Sequence, residues 1–395
     1  MRKEIAFYGG SFDPFTEGHR LCLCHAITMY DKIVVGVGVN PDKEYLISAE
    51  DRVNLINASL SDFVSMFKHR ELIGRDFSLV EQIAAERLMT NIECVEVISY
   101  SGLTIDAAIE CKASVLIRGE RLVGDHDAEM QLAHINRELC DIRGYNLQTV
   151  TFPVSKAELT YVSSTNVKKL IKQGEYIAAM KYVSPSVHNF LCQSVLRKNE
   201  YPFITSDLYY SPIVEAFWGR KYHNFSHIAY MLNFLHIFQV LHHEEDIRKK
   251  AMKIAILWHD FECFGENPEL VSAQKARNVA WEYCFEDADF VKKLVLATNH
   301  KDVSIKRYLE NLIHDLDLLI LGDRKNYGTY AWSIKSECEE KFSYEEYVKG
   351  RIKILNVLLD RPSIYLTPYF YKRFEDVARM NVCKERDYWL SKKVC

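Results

Sequence analysis

The sequence predicts an α/β domain with a parallel sheet, followed by an all-α domain. Up to about residue 190, short β-branched runs alternate with amphipathic segments of helical period. Strands separated by helices favour right-handed crossovers and a parallel sheet that is covered on both faces. After Pro202, strand-like runs become scarce and long helical patterns dominate. A chain of 395 residues is long enough to form two or three domains with separate cores.

The expected strands and helices follow in order from these patterns. The strand-like runs cover residues 4–8, 32–39, 92–98, 114–118 and 147–152. Ser48 and Asp51 open the helical segment after the second strand as a capping box. Residues 63–90 fall outside the alternation, and we interpret them as an additional helical insertion. In the second half, the helical patterns cover residues 226–242, 246–259, 270–285, 288–299 and 343–359.

The domain boundary is predicted from a segment without periodicity. Residues 197–212 contain two prolines and no clear pattern, which is typical of a connection between domains. We therefore expect a first domain over residues 1–195, a linker over residues 196–212 and a second domain over residues 213–395.

The composition argues against several classes of partner. Lys plus Arg total 50 and Asp plus Glu total 54, so the net charge is −4 and the pI is about 6.4. This balance gives no general attraction to nucleic acid or to an anionic membrane. The N-terminus lacks the apolar segment of a signal peptide, and eleven cysteines without paired spacing favour reduced thiols. We expect a cytoplasmic protein with small-molecule substrates.

A glycine-rich turn follows the first strand and leads into a helix. The segment Tyr8–Pro14 brings backbone N–H groups to the start of this helix, and His19 lies in its first turn. Unpaired N–H groups and the helix dipole both favour a phosphate at such a position. The glycine pair alone would equally suit an ordinary tight turn, since it matches neither the dinucleotide fingerprint nor the Walker A loop.

The complete string GSFDPFTEGH resembles the signature of the nucleotidyltransferase superfamily with a (T/H)xGH motif. Within it, the chain is similar to the phosphopantetheine adenylyltransferase family, in segments 40–43, 49–52, 102–106, 117–139 and 161–165. This resemblance covers nearly all of residues 1–190 and implies a Rossmann-like nucleotidyltransferase domain. The related nicotinamide mononucleotide adenylyltransferases usually have HxGH and lack the block at 117–139. Adenylyl transfer to another phosphate acceptor, such as nicotinamide mononucleotide, is therefore the second interpretation.

The resemblance implies transfer of the adenylyl group of ATP, bound with Mg²⁺, to 4'-phosphopantetheine. The products would be dephospho-coenzyme A and pyrophosphate, and a homo-oligomer is implied as a possible assembly. The implied catalytic residues are Ser11, His19, Lys43 and Arg118. The implied nucleotide contacts are Ser11, Phe12, His19, Gly119, Arg121, Glu129, Ser163, Ser164 and Thr165. The implied acceptor contacts are Ser11, Lys43, Thr104 and Arg118.

Histidines and aspartates recur in the predicted helices of the second half. They form four clusters in segments that are otherwise apolar, namely His223 with His227, His259 with Asp260, Asn299 with His300, and His314 with Asp315 and Asp317. Such residues on separate helices of one bundle can converge and bind a divalent metal through nitrogen and oxygen atoms. Burying a His-Asp pair without a metal or another partner would be costly.

The order of these clusters resembles the HD superfamily of metal-dependent phosphohydrolases. The segments YHNFSHI, WHDFEC, ATNH and DLDLLILG are similar to one predicted phosphohydrolase group within it. The resemblance implies an HD domain that binds Mn²⁺, Fe²⁺, Ni²⁺ or Mg²⁺ and hydrolyses a phosphoester of unknown identity. The implied metal ligands are His227, His259, Asp260 and Asp317, with Asp315 as the rival of Asp317.

Two further histidines and two alternatives complete the interpretation of this half. His300 would serve a second ion or the leaving group, and His223 would protonate the leaving oxygen. One alternative is a nucleotide-sensing module instead of an enzyme. The other concerns the whole chain, which could be a scaffold that keeps the fold without turnover.

Overall fold

The computed structural model describes residues 4–120, 126–153, 162–198, 207–242, 248–300 and 307–392. The chain divides into two compact units. The first unit comprises residues 1–70 and 76–188, and the second comprises residues 71–75 and 189–395. None of the helices in the described ranges is long and apolar enough to cross a membrane.

The first unit is built on a five-stranded parallel sheet. The strands are β1 (Ile5–Gly10), β2 (Lys32–Val39), β3 (Val95–Ser101), β4 (Val115–Glu120) and β5 (Gln148–Pro153). Their order across the sheet is β3-β2-β1-β4-β5, and every pair is parallel. The predicted α/β class with a parallel sheet is confirmed. β3 begins at Val95 instead of residue 92 because Ile92–Cys94 forms a turn of 3₁₀ helix.

Helices connect and cover these strands. They are α1 (Glu17–Met29), α2 (Ala49–Lys68), α4 (Leu79–Thr90), α5 (Thr104–Glu110), α6 (His126–Ile142), α7 (Ser164–Lys172) and α8 (Tyr176–Met180). Two other helices, α3 (Arg70–Ile73) and α9 (Pro185–Lys198), contain residues of both units. The middle of β1 and β2 is buried in continuous runs, as expected for strands covered on both faces. Phe7, Val34 and Leu116, from three neighbouring strands, are almost completely buried in one core cluster.

The sheet has a topological switch point between β1 and β4. β1 pairs with β2 on one side and with β4 on the other, with Tyr8 opposite both Val35 and Ile117. Connections leave this point in opposite directions, so a crevice opens beyond the carboxyl ends of β1 and β4. Ligands of open α/β sheets bind in such crevices.

The segment predicted as an insertion is helical and is attached through a buried ion pair. It contains the end of α2 and all of α4. The guanidinium of Arg20, on α1, lies 2.9 Å from Glu17 and 2.7 Å from Glu81, on α4. Arg20 and Glu81 are both buried, so this pair fixes α4 against α1.

The second unit is largely helical in its described residues. Its helices after α9 are α10 (Asp207–Phe217), α11 (Phe225–His242), α12 (Lys249–Trp258), α13 (Pro268–Tyr283), α14 (Ala288–Leu296), α15 (Tyr308–Asp317), α16 (Tyr327–Cys338), α17 (Tyr344–Leu359) and α18 (Pro368–Lys392). The segment predicted as a linker contains the last residues of α9 and the first of α10. Pro212 lies inside α10 and does not end that helix. Residues 199–206 lie outside the described residues.

Candidate functional sites

A cleft of about 280 Å³ lies at the switch point of the sheet. It is lined by the end of β1, the loop after it, the first turn of α1 and the end of β4. Of the residues implied by resemblance, it brings together Ser11, Phe12, His19, Arg118 and Gly119. The other lining residues are Tyr8, Gly9, Gly10, Thr16, Gly18 and Val162.

The imidazole of His19 is held in place by the cap of α1. The N–H of Thr16 donates to His19 Nδ1 at 3.0 Å, and the N–H of His19 donates to Thr16 Oγ1 at 3.4 Å. This reciprocal arrangement is a capping box. Because Nδ1 accepts a hydrogen bond, the neutral ring carries its proton on Nε2. That N–H is a suitable donor to a phosphate oxygen.

Two positioning residues at this cleft are not singled out by the sequence analysis. Arg52, buried at the start of α2, donates from Nη1 to the carbonyl of Ser11 at 2.6 Å and to that of Gly38 at 3.1 Å. Asp13, also buried, accepts from the N–H groups of Leu46 at 3.1 Å and Ile47 at 3.0 Å. Both residues tie the loop after β1 to the segment after β2.

The N-terminus of α7 lies against the same loop. Ser164 Oγ donates to the carbonyl of Pro14 at 2.8 Å, and Lys168 Nζ lies 2.9 Å from Asp13 Oδ2. Ser163 caps the helix by accepting from the N–H of Asn166 at 3.0 Å. Among the described residues of this segment, Val162 lines the cleft, and Ser163, Ser164 and Thr165 come next to it along the chain.

The remaining implied residues are not among the described residues that line the cleft. Lys43 is exposed in the turn after β2, with Nζ 5.7 Å from the ring centroid of Tyr45. Thr104 bonds to the hydroxyl of Tyr100 at 2.8 Å and packs so closely on Gly9 that a Cβ there would lie 2.6 Å from its methyl carbon. Arg121 and the side chain of Glu129 lie outside the described residues.

A second cluster of ligand-type side chains lies in the helical unit. His227, His259, Asp260 and Asp317 each offer one atom, and these atoms all lie within 4.8 Å of one another. His227 Nε2 is 3.2 Å from His259 Nε2 and 3.1 Å from Asp317 Oδ1. His300 Nε2 lies 3.0 Å from the other oxygen of Asp317. The four residues implied as metal ligands therefore converge on one point.

The surroundings of this cluster fit a divalent cation. His259 Nδ1 lies 2.7 Å from the carbonyl of Ile256, and His227 Nδ1 lies 3.1 Å from the hydroxyl of Tyr222. Such contacts orient the opposite ring nitrogens as ligands. Asp260 Oδ2 is buried and, among the described residues, makes no hydrogen bond, although it lies 2.9 Å from His259 Nε2. A buried carboxylate oxygen without a donor suits coordination to a metal ion.

The buried histidines and carboxylates of the cluster shift one another's pKa values. Burial lowers the pKa of His259, but the carboxylates of Asp260 and Asp317 outweigh burial, so the pKa lies well above its ordinary value. Burial raises the pKa of Asp317, and the nearby histidines reverse this effect and hold it well below its usual range. The two carboxylates therefore favour positive charge at this point, and a divalent cation that binds here would replace the proton on His259.

Asp315 has a different partner set from Asp317. It is buried and accepts from the N–H groups of Leu366 and Thr367, each at 2.7 Å, and from the hydroxyl of Thr367 at 2.6 Å. These bonds anchor the segment that precedes α18. The structure therefore brings Asp317, and not Asp315, to the cluster.

His223 lies beside this cluster and is held by Glu337, which the sequence analysis does not identify. Glu337 Oε1 lies 2.6 Å from His223 Nδ1, and its Oε2 accepts from the N–H groups of Tyr222 at 2.8 Å and His223 at 3.1 Å. Burial lowers the pKa of His223, but the carboxylates of Glu337 and Asp260 outweigh burial and raise it above the ordinary value of 6.5. A histidine with this environment can donate a proton at neutral pH.

Comparisons with known proteins concern the unit that contains the cleft. Residues 7–170 match the family described as cytidylyltransferase-like. A phosphopantetheine adenylyltransferase of Clostridium novyi is 33% identical over 177 residues, which are 45% of this chain and 89% of the relative. One of Allorhizobium ampelinum is 35% identical over 187 residues, or 47% of this chain and 95% of the relative.

One solved structure also aligns with part of the chain. The nicotinic acid mononucleotide adenylyltransferase of Plasmodium falciparum, complexed with NaAD, aligns with 51% of this chain and 98% of its own. Its sequence identity to this chain is 16% and the TM-score is 0.26.

Proposed function

The chain belongs to the phosphopantetheine adenylyltransferase family through its N-terminal half, and from this membership we propose that it transfers adenylyl from ATP to 4'-phosphopantetheine. The products would be dephospho-coenzyme A and pyrophosphate. The observation that carries the proposal is the cleft at the switch point, where His19 is oriented by the cap of α1 beside Arg118.

The proposed chemistry needs positioning and charge neutralisation and no covalent intermediate with the protein. The Nε2–H of His19 would donate to an oxygen of the transferring phosphate, where charge develops in the transition state. Arg118 and Lys43 would neutralise the acceptor phosphate, and the N-terminus of α7 would face the leaving pyrophosphate. The ATP phosphates themselves would hold Mg²⁺.

Pyrophosphate release from ATP tests this proposal. The full chain should release pyrophosphate far faster with 4'-phosphopantetheine than with nicotinamide mononucleotide. His19→Gln is the matched control because it removes the imidazole. A preference for nicotinamide mononucleotide would overturn the proposed acceptor and leave adenylyl transfer standing. Pyrophosphate release that does not depend on either acceptor would contradict both the proposed acceptor and adenylyl transfer.

We further propose that the helical unit is an HD-type metal-dependent phosphohydrolase. The supporting observation is that His227, His259, Asp260 and Asp317 bring four possible ligand atoms within 4.8 Å of one another. Asp260 Oδ2 is buried there and makes no hydrogen bond to the described residues. A bound divalent ion would supply Lewis-acid activation of water and phosphoester. His223, oriented by Glu337, would protonate the leaving oxygen.

A metal and substrate screen tests this second proposal. Protein as purified should contain about one or two transition-metal ions per chain, and His259→Ala with Asp260→Ala should remove the ion of this cluster. The screen pairs Mn²⁺, Fe²⁺, Ni²⁺ or Mg²⁺ with mononucleotides, cyclic nucleotides, dinucleoside polyphosphates and dephospho-coenzyme A. Hydrolysis that the double variant lacks supports an enzyme. Nucleotide binding without hydrolysis under every metal would favour the sensing module.

A further inference from the structure

Arg361, in the segment after α17, is a buried cation with no carboxylate partner among the residues that the structure describes. The residue is 7% exposed. Nη2 donates to the backbone carbonyl of His300. Nε and Nη1 are buried and have no hydrogen-bond partner in the described part of the chain. Burial lowers the pKa of this guanidinium, and no carboxylate in the described ranges opposes that effect.

The other buried arginines of the described ranges show how unusual this is. Arg20 pairs with Glu17 and Glu81, and Arg351 is bonded to Glu385 at 2.8 and 2.9 Å. Arg52 donates to three backbone carbonyls. A buried guanidinium whose charge and N–H groups are uncompensated carries a large desolvation penalty. An anion that binds there would remove this penalty.

Two histidines place Arg361 next to the metal-ligand cluster. The ring centroids of His300 and His314 are 5.2 Å apart, and His300 Nε2 lies 3.0 Å from Asp317 Oδ2. His314 Nδ1 lies 3.2 Å from Asp315 Oδ1. The remaining nitrogens, His300 Nδ1 and His314 Nε2, are buried and lack partners among the described residues.

These groups together suit a phosphate that carries a proton. If the bonded ring nitrogens donate to the two aspartates, the remaining ring nitrogens are acceptors. A protonated phosphate oxygen could donate to them, while its charged oxygens accept from the guanidinium. Guanidinium–phosphate hydrogen bonds are among the strongest in proteins.

We propose that Arg361, with His300 and His314, binds a phosphate group of the substrate beside the metal-ligand cluster. The inference rests on the proposed phosphohydrolase function of the helical unit and adds a residue that recognises its substrate. The HD-type ligand set accounts for none of the unsatisfied nitrogens of Arg361. Occupation by a phosphate accounts for them.

Calorimetric titration of inorganic phosphate into the metal-loaded full chain tests the proposal. The wild type should show two classes of site, one in the cleft of the first unit and one at Arg361. Arg361→Met should weaken only the second class, by at least about tenfold, since one charge-assisted bond contributes that much. Arg361→Lys should weaken it less because the charge is kept. Arg118→Ala, the matched control, should weaken only the first class. Retention of both classes in Arg361→Met would overturn the proposal.

Thermal unfolding separates this role from a structural one. Without phosphate, Arg361→Met should unfold at the same or a higher temperature than the wild type, because it replaces an uncompensated buried charge by an apolar chain. Phosphate should raise the temperature of the unfolding transition that responds to metal in the wild type, and it should not raise this temperature in the variant. A lower unfolding temperature of the phosphate-free variant would assign Arg361 a structural role and overturn the proposal. Failure to find a hydrolysed phosphoester would count against the proposed function without changing either binding result.

Discussion

His19 combines a structural and a proposed chemical role in one side chain. Its Nδ1 completes the capping box of α1. We propose that its other nitrogen, Nε2, donates to the transferring phosphate in the cleft. Glutamine at the same helix position completes such a box naturally. The two roles can therefore be separated by substitution.

We predict that His19→Gln lowers kcat for adenylyl transfer by at least about a hundredfold while the unfolding temperature stays close to that of the wild type. His19→Ala should lose a similar factor in kcat and should also lose about 0.5–1 kcal/mol of stability with the cap. Steady-state kinetics and thermal unfolding of both variants check this. A His19→Gln enzyme with nearly full kcat would remove the imidazole from the mechanism.

Glu337 controls the charge of His223. The proposed proton donor must be protonated, so turnover of a phosphoester should fall as the pH rises through the raised pKa of His223. Glu337→Gln removes the charge that contributes most to raising the pKa of His223 against the effect of burial. We therefore predict that the falling limb of the pH profile of kcat moves to lower pH.

The control for this prediction is Glu339→Gln. Glu337 lies in α16, and Glu339 directly follows that helix. The side chain of Glu339 is 51% exposed and pairs with Lys335. Its substitution should leave the profile in place. An unchanged profile in Glu337→Gln would show that His223 is not the group that titrates.

At the scale of elements, the sequence predicts the strands well but misses the residues that hold the site side chains in position. The β-branched runs predict all five strands because each run is a local pattern. Pro212 was expected to mark a connection but lies within α10, since surrounding structure can override a local signal. Asp13 and Glu337 have partners 155 and 114 residues away, respectively, and no local pattern contains such pairs.

The attachment of α4 illustrates a long-range contact that can be tested. Glu81 caps α4 together with Ser78 and also pairs with the buried Arg20. Glu81→Gln keeps the capping pattern and removes the charge. We predict that it destabilises the contact between α1 and α4 by about 3 kcal/mol, because Arg20 loses a buried partner. Hydrogen exchange of these two helices measures the change.

Glu346 provides the control for this substitution. It occupies the same position in the exposed capping box of α17, where it bonds only to Ser343 among the described residues. Glu346→Gln should change the exchange of α17 by less than about 0.5 kcal/mol. Equal effects of the two substitutions would mean that the ion pair of Arg20 with Glu81 contributes nothing beyond the cap.

At the scale of the whole molecule, the two candidate sites lie in separate compact units. The cleft is built by the first unit, and the metal-ligand cluster is built by the second. We predict that His259→Ala with Asp260→Ala abolishes metal binding by the cluster and leaves kcat/KM for adenylyl transfer within about twofold. Metal analysis and pyrophosphate release on one preparation check both parts. A large loss of adenylyl transfer would show that the two activities are coupled.

The reverse reaction tests the central claim most directly. Full-length protein is supplied with pyrophosphate, Mg²⁺ and either dephospho-coenzyme A or NAD⁺, and the ATP that forms is measured. The account predicts rapid ATP formation from dephospho-coenzyme A, little from NAD⁺, and a loss of at least about a hundredfold in His19→Gln. Faster ATP formation from NAD⁺, or none from dephospho-coenzyme A, would contradict it.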